Sequence, residues 1–153
     1  MKNAVLVGFM GTGKTFVGKE VAYRLKYEHI DIDELIEKAE GMKVADIFKK
    51  YGEPYFRERE REAVEKLKDR ENLVISAGGG IVLDQGNVDN LKKKGILICL
   101  TATPEVVFER LKYMTDRPIL NVDDPKENIS ILMKFREPFY KKAYYEIDTS
   151  NLP

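Results

Sequence analysis

The sequence GFMGTGKT, from Gly8 to Thr15, matches the pattern GxxxxGK[ST] at every fixed position. In such a loop, glycines allow consecutive backbone N–H groups to point at a phosphate chain. Lys14 can then reach the β- and γ-phosphates, and the Thr15 hydroxyl can bind Mg²⁺. The stretch predicts a site for a nucleoside triphosphate; the alternative is a merely flexible glycine-rich turn.

Both flanks of this loop favour the nucleotide interpretation. Ala4–Val7 is a short apolar run suited to a buried parallel strand. Val17, Val21 and Leu25 recur every four residues, as on one face of a helix. The loop therefore joins a strand to a helix N-terminus, where exposed N–H groups and the helix dipole favour an anion.

The composition favours one soluble domain whose partners are small molecules. The 153 residues are 43% hydrophobic and 34% charged, and 26 Lys and Arg residues balance 26 Asp and Glu residues. Because the two signs are interspersed, neither nucleic acid nor an anionic membrane is an expected partner. No apolar run approaches the roughly 18 residues of a membrane span, and the first strand follows Met1 too closely for a signal peptide. We expect a cytoplasmic protein in which Cys99 is a buried core thiol.

Apolar runs and helical segments alternate along the rest of the chain. Gly41 and Gly52 are predicted to end helices, and Thr103 with Pro104 is predicted to begin one. Strands alternating with helices predict a parallel sheet covered on both faces. The predicted strands after the first are residues 29–33, 73–77, 96–100 and 147–149, and the main helices cover 34–69, 104–112 and 126–144.

Two aspartates stand where the second predicted strand ends. The alternation HIDID predicts that His29, Asp31 and Asp33 share one face of that strand. A carboxylate at a strand end near a phosphate loop commonly holds Mg²⁺, directly or through water. For Asp33 the alternative is a cap on the following helix, and the two roles are compatible. His29 is predicted to be a partly exposed strand residue.

Other polar residues are candidates with open alternatives. On helix pattern alone, Arg57 belongs to a charge run expected to be solvated. Residues 78–80 are three glycines after a strand, which form either a loose turn or a close backbone approach to a ligand. Arg136 lies along an apolar stripe and needs a partner, because an unpaired buried guanidinium is costly. The aperiodic stretch 113–124 is a candidate lid carrying Arg117.

Together these motifs resemble the shikimate kinase family, within the nucleoside-monophosphate-kinase-like group of P-loop proteins. The matching features are the phosphate loop, the aspartate pair, the segment 41–60, the triple glycine, the RPIL sequence at 117–120, and Arg136 before Pro138 and Tyr140. Six motifs in this order are highly specific. The resemblance implies a single three-layer α/β domain over residues 1–153, with a five-stranded parallel sheet of order 2-3-1-4-5. It also implies substrate-binding helices at about 33–61 and a lid at about 113–124.

The resemblance further implies ATP-dependent phosphorylation of the 3-hydroxyl of shikimate, giving shikimate 3-phosphate and ADP for chorismate and aromatic amino acid synthesis. Asp33 is the implied base, Lys14 and Arg117 stabilise the transferring phosphate, Thr15 binds Mg²⁺ and Asp31 holds it through water. The other implied ATP-binding residues are Gly11, Thr12, Gly13 and Phe16, with Arg110 and Pro153 sandwiching adenine. The implied shikimate-binding residues are Asp33, Arg57, Gly79, Gly80 and Arg136, with Glu60 helping to hold Arg57.

Two other functions remain open at this point. One is a related small-molecule kinase, such as a gluconate kinase or a nucleoside monophosphate kinase, although Arg57 with Arg136 suits a small carboxylate better. The other is a regulatory module that binds shikimate and nucleotide without turnover. We expect a monomer. The family pattern continues past the position of Pro153 into a final helix, and adenine affinity and stability are the properties that its absence would affect.

Overall fold

The computed structural model describes residues 2–112, 122–143 and 145–151, and a five-stranded parallel sheet forms its centre. The strands are β1 (Asn3–Val7), β2 (Glu28–Asp31), β3 (Leu73–Ser76), β4 (Gly95–Thr101) and β5 (Tyr145–Asp148). Their order is β2-β3-β1-β4-β5, and every neighbouring pair is parallel. The sheet order implied by the family resemblance is therefore confirmed.

Helices cover both faces of this sheet. Leu6 of β1 packs with Ala22 on one side, whereas Val5 and Val7 pack with Ile36 and other buried residues on the opposite side. This alternation follows from the two-residue period of a strand. The helices are α1 (Lys14–Leu25), α2 (Ile32–Glu40), α3 (Val44–Tyr51), α4 (Glu53–Leu67), α5 (Gln85–Lys94), α6 (Pro104–Leu111) and α7 (Pro125–Tyr140), with a 3₁₀ turn at Ile81–Leu83.

Most predicted helix boundaries are confirmed. Gly41 and Gly52 follow α2 and α3 with φ of 69° and 88°, values that favour glycine. The Thr103 side chain accepts a hydrogen bond from the Val106 N–H at 3.2 Å and so caps α6. In the last part of the chain, α7 ends at Tyr140 rather than near residue 144, and β5 begins two residues before its predicted start.

The prediction for the end of β2 is wrong in one respect. The strand stops at Asp31 and α2 begins at Ile32, so Asp33 lies in the first helical turn and not on the strand. Asp31 is also the cap of α2, because its Oδ1 accepts a hydrogen bond from the Glu34 N–H at 3.1 Å. The alternative that Asp33 caps this helix is therefore wrong, because Asp31 does so.

Two minor predictions are confirmed. Cys99 is buried in β4, and burial raises the pKa of its thiol to about 11. His29 is a half-buried strand residue whose Nε2 lies 2.9 Å from Ser76 Oγ, and burial lowers its pKa. Across the described residues, no helix combines the length and the apolar character that a membrane crossing requires.

Candidate active site

The phosphate loop lies between β1 and α1, as predicted. Gly8 has φ of 142°, and a Cβ there would lie 2.4 Å from the Leu100 carbonyl oxygen, so only glycine fits. The Lys14 ammonium donates hydrogen bonds to the carbonyls of Gly8, at 2.6 Å, and Phe9, at 3.0 Å. These bonds keep the ammonium over the loop that would hold a phosphate chain.

Thr15 and Asp31 meet beside this loop. The Thr15 hydroxyl donates a hydrogen bond to Asp31 Oδ2 at 2.7 Å. Among the described residues, no group of three or more His, Cys, Asp or Glu side chains could hold a metal ion. A Mg²⁺ ion needs no such group, because it usually keeps several waters and binds one or two protein groups together with phosphates. The Thr15 and Asp31 oxygens fit that kind of binding.

Side chains from three other parts of the fold lie close to the three glycines after β3. A Cβ on Gly78 would lie 2.8 Å from Asp33 Oδ1, and one on Gly80 would lie 2.5 Å from an Arg57 nitrogen. A Cβ on Gly79 would contact Arg136 Nη1 at 3.4 Å. The glycines leave space in which these three side chains converge, and a close approach of this backbone to a ligand stays a prediction.

Arg57 is held at this turn by a buried carboxylate. Its Nη1 lies 3.1 Å from Glu60 Oε1 and 3.3 Å from Oε2, and Glu53 is 3.8 Å away on the preceding turn. The side chains of Arg57 and Glu60 are only 20% and 1% exposed. Burial raises the pKa of Glu60 to about 7, although Arg57 acts in the opposite direction. The expectation of a solvated Arg57, made from the helix pattern alone, is thus wrong.

Arg136 reaches the same turn from α7. Its guanidinium carbon lies 5.5 Å from the centre of the Phe9 ring, and its charge interacts with the Tyr140 side chain. Tyr140 in turn donates to the Gly79 carbonyl at 2.6 Å, and burial raises its pKa to about 12. These contacts supply the partners that the sequence required for Arg136. The sequence analysis named Tyr140 only as a mark of the family resemblance and missed its hydrogen bond to the Gly79 carbonyl.

The predicted adenine side is described only in part. Arg110 donates through Nη1 to the Gly11 carbonyl at 3.0 Å and to Thr149 Oγ1 at 3.1 Å. The N–H groups at the edge of the Arg110 guanidinium therefore bind the protein. Stacking uses the flat face of a guanidinium, so these bonds are compatible with the predicted contact with adenine. The Phe16 side chain is 70% exposed on α1. Arg117, Pro153 and most of the predicted lid lie outside the described residues.

A cavity of about 290 Å³, lined in part by Phe9, lies between α7 and the strands β4 and β5. Its lining includes Cys99, Met133 and Tyr140. Neither Asp33 nor Arg57 lines it. This cavity is therefore distinct from the cluster at residues 78–80, which is the candidate active site.

Comparison with known proteins gives one consistent family. The family model described as shikimate kinase matches residues 10–153. The shikimate kinase of Thermodesulfovibrio yellowstonii is 50% identical over 152 residues, which cover 99% of this chain and 88% of the relative. That of Caldanaerobacter subterraneus subsp. tengcongensis is 52% identical over 151 residues, with coverage of 99% and 88%.

Solved structures agree with the sequence relatives. Shikimate kinase from Acinetobacter baumannii in complex with shikimate has a TM-score of 0.93 and 38% identity, over 99% of this chain and 85% of that one. A gluconokinase from Sinorhizobium meliloti has a TM-score of 0.57 and 18% identity, over 99% and 84% of the two chains. The gluconokinase likeness shows a shared fold alone.

Proposed function

The chain belongs to the shikimate kinase family, and we propose that the side chains converging on residues 78–80 form its active site. The protein is an enzyme that phosphorylates shikimate, with ATP as co-substrate. One observation carries the assignment of the site: Asp33, Arg57 and Arg136 each lie within 3.4 Å of the position that a Cβ would take on one of three consecutive glycines. A carboxylate and two guanidinium groups thus face one turn beside the phosphate loop.

The two arginines bind the carboxylate of shikimate. A guanidinium presents paired donors that match the two oxygens of a carboxylate, and this match is stronger in a partly buried site. Glu60 fixes Arg57, while Phe9 and Tyr140 fix Arg136, so both guanidinium groups are oriented before substrate binds. The backbone N–H groups of Gly79 and Gly80 can add donors there, since no side chain shields them.

Asp33 acts on the reacting hydroxyl of shikimate, which we assign as the 3-hydroxyl. The carboxylate accepts the hydroxyl proton as the oxygen forms its bond to the γ-phosphorus and the bond to the β-phosphate oxygen of ATP breaks. The products are shikimate 3-phosphate and ADP. Because phosphoryl transfer needs little covalent help from a protein, orientation by Asp33 and charge stabilisation are the main contributions required.

Charge stabilisation is assigned to the phosphate loop and the lid. Backbone N–H groups of Gly11, Thr12 and Gly13 face the phosphates, and Lys14 leaves its carbonyl partners for them. Thr15 directly, and Asp31 through water, would hold Mg²⁺, which supplies neutralisation of phosphate charge when bound. Arg117 is proposed to contact the transferring phosphate from the lid, and Arg110 and Pro153 to sandwich adenine next to Phe16.

The setting of the enzyme is also part of the proposal. We propose a single domain that works as a cytoplasmic monomer on small molecules, without nucleic acid or membrane as partner. Its balanced charge, with 26 basic and 26 acidic residues, supports this setting because the composition has no excess of basic residues.

The test is ADP formation measured with ATP and shikimate, and with gluconate or a nucleoside monophosphate in place of shikimate. Shikimate-dependent ADP formation, with shikimate 3-phosphate as the product, is the expected result. Arg57→Ala should lose shikimate affinity, whereas Arg61→Ala, at an exposed arginine one turn later on α4, should not. Equal losses in the two variants would remove Arg57 from the site. Binding of both ligands without turnover would instead indicate a regulatory module.

A further inference from the structure

Thr149, immediately after β5, is a polar residue with only 1% of its surface exposed. Its hydroxyl oxygen lies 2.7 Å from the Thr12 carbonyl oxygen and 3.0 Å from that of Thr101. A hydroxyl has one proton to donate, and the Thr101 carbonyl already accepts the Thr149 N–H at 2.7 Å. The shorter of the two contacts assigns this proton to the Thr12 carbonyl, in the phosphate loop.

Arg110 completes this arrangement from α6. Its Nη1 carries two hydrogens, which are directed at the Gly11 carbonyl, at 3.0 Å, and at Thr149 Oγ1, at 3.1 Å. Its Nη2 donates to the Thr149 carbonyl. Two consecutive carbonyls of the phosphate loop, those of Gly11 and Thr12, are thus held from outside by one pair of side chains.

The direction of these carbonyls fixes the direction of the neighbouring amides. In a planar trans peptide, the C=O of one residue points opposite to the N–H of the next. Holding the Gly11 and Thr12 carbonyls toward Arg110 and Thr149 turns the Thr12 and Gly13 N–H groups the other way, toward the phosphate side of the loop. The loop is thereby set for an anion before nucleotide binds.

We propose that Thr149 is a positioning residue for the nucleotide phosphates, acting with Arg110 through the carbonyls of Gly11 and Thr12. The proposal rests on the assigned ATP site and concerns a residue that acts through the loop carbonyls. A purely architectural role is already filled by the backbone, because the Thr149 N–H joins β5 to the Thr101 carbonyl without the side chain. The buried hydroxyl is the part directed at the loop.

Three variants separate these roles. Thr149→Val keeps the shape of the side chain but removes the hydroxyl, and Thr149→Ser keeps the hydroxyl. Thr101→Val is the matched control, because it removes a hydroxyl at the adjoining strand whose partner is the Ile147 carbonyl, at 3.5 Å, and not the loop. Binding of ADP is measured by titration calorimetry, and the KM for ATP, the KM for shikimate and kcat by steady-state kinetics.

The expected result for Thr149→Val is a Kd for ADP and a KM for ATP raised about tenfold, the scale of one lost buried hydrogen bond. The KM for shikimate should stay within about twofold of the native value, because Arg57 and Arg136 do not depend on this contact. Thr149→Ser should restore ADP affinity, and Thr101→Val should leave it unchanged. If Thr149→Val does not fold, Thr149→Ala, which adds no apolar methyl against the Thr12 carbonyl, takes its place.

An unchanged ADP affinity in a folded Thr149→Val protein would overturn the proposal. So would equal losses in Thr149→Val and Thr101→Val, which would indicate a general loosening of β5. The ADP titration is independent of the acceptor: if the native enzyme failed to phosphorylate shikimate, the proposed function would fall while the role of Thr149 would still be decided.

Discussion

The Thr15 hydroxyl and the Asp31 carboxylate are joined by a hydrogen bond of 2.7 Å, and the two oxygens of Asp31 serve different neighbours. Oδ2 accepts from Thr15 on the phosphate-loop side, and Oδ1 accepts from the Glu34 N–H at 3.1 Å as the cap of α2. One residue therefore combines a structural contact with the proposed outer-sphere contact to Mg²⁺. Because each role uses its own oxygen, a substitution can separate them.

Asp31→Asn is predicted to keep the cap and weaken the metal site. Asparagine caps helices about as well as aspartate, so the free energy of unfolding should change by less than about 1 kcal/mol. Loss of the negative charge should raise the Mg²⁺ concentration for half-maximal rate about tenfold or more. The measurement is the rate against free Mg²⁺ at saturating ATP and shikimate. An unchanged midpoint would leave Asp31 with the cap alone, and Asp31→Ala, which loses both contacts, is the reference for a combined defect.

Asp33→Asn is predicted to reduce kcat by about 10² or more while ADP affinity stays within about twofold, because the amide cannot take the hydroxyl proton. Since Asp31 and not Asp33 caps α2, the variant should also keep its thermal stability. Steady-state kinetics and ADP titration check the two halves of the prediction. Asp46→Asn, in the first turn of α3, is the matched control. Turnover near that of the native enzyme would remove Asp33 from the chemistry.

Arg136→Ala is predicted to weaken shikimate binding by about 2–5 kcal/mol, because the substrate carboxylate loses a charged partner in a desolvated site. The KM for shikimate should rise much more than the KM for ATP. Lys134→Ala, at an exposed position on the same helix, is the control. Since Arg136 also contacts Phe9 and Tyr140, urea unfolding must show that the variant is folded. A folded variant with native KM for shikimate would contradict the proposed clamp.

Much of the fold was predictable because its signals are local. The phosphate loop requires a strand before it and a helix after it, and the unbroken apolar run of β4 is typical of a buried parallel strand. Gly41 and Gly52 follow helices with positive φ. Because glycine adopts positive φ more easily than other residues, its presence in the sequence indicates such a helix end. The strand order was not predictable in this way, because it depends on whether each connection leads to the adjacent strand position or to one further away in the sheet. It came from the family resemblance.

The boundary between β2 and α2 could not be placed from its own residues. The alternation HIDID fits a strand through Asp33, but β2 pairs with β3 only as far as Asp31 and Ser76. The chain of β3 then turns into residues 78–80, which leaves Asp33 without a strand neighbour and lets α2 start earlier. A contact between segments distant in sequence thus decided a local boundary.

The sequence named Asp33, Arg57 and Arg136, which the fold brings together at residues 78–80, but most of the contacts that hold the candidate site in place lie between residues distant in sequence. Arg57 sits in a charge run, and its burial depends on Gly80, which lies 23 positions further along the chain, as well as on Glu60. Thr149 gave no signal of its role, because its partner Thr12 is 137 positions away and a threonine after a strand is ordinary. Side chains that act on backbone carbonyls leave no motif in sequence.

Glu60→Gln is predicted to change the pH dependence of stability, because Glu60 is 1% exposed and burial raises its pKa from 4.5 to about 7. Between these values the folded chain binds more protons than the unfolded chain, so the free energy of unfolding falls as pH rises. The stabilisation from the protonated carboxyl is complete below pH 4.5 and is lost as pH rises through about 7. Glutamine does not titrate and should remove this loss.

Urea unfolding of both proteins at about pH 5 and about pH 8 tests the prediction. Between these two conditions the native protein should lose about 1–3 kcal/mol more stability than Glu60→Gln, at roughly 1.4 kcal/mol per unit of pKa shift. Glu62→Gln, at a carboxyl 47% exposed on the same helix and paired with Arg59, should follow the native curve. Parallel curves for the native protein and Glu60→Gln would mean that Glu60 is ionised throughout this range, as Arg57 alone would favour. In that case the Arg57–Glu60 contact would be a full ion pair at every pH at which the enzyme is assayed.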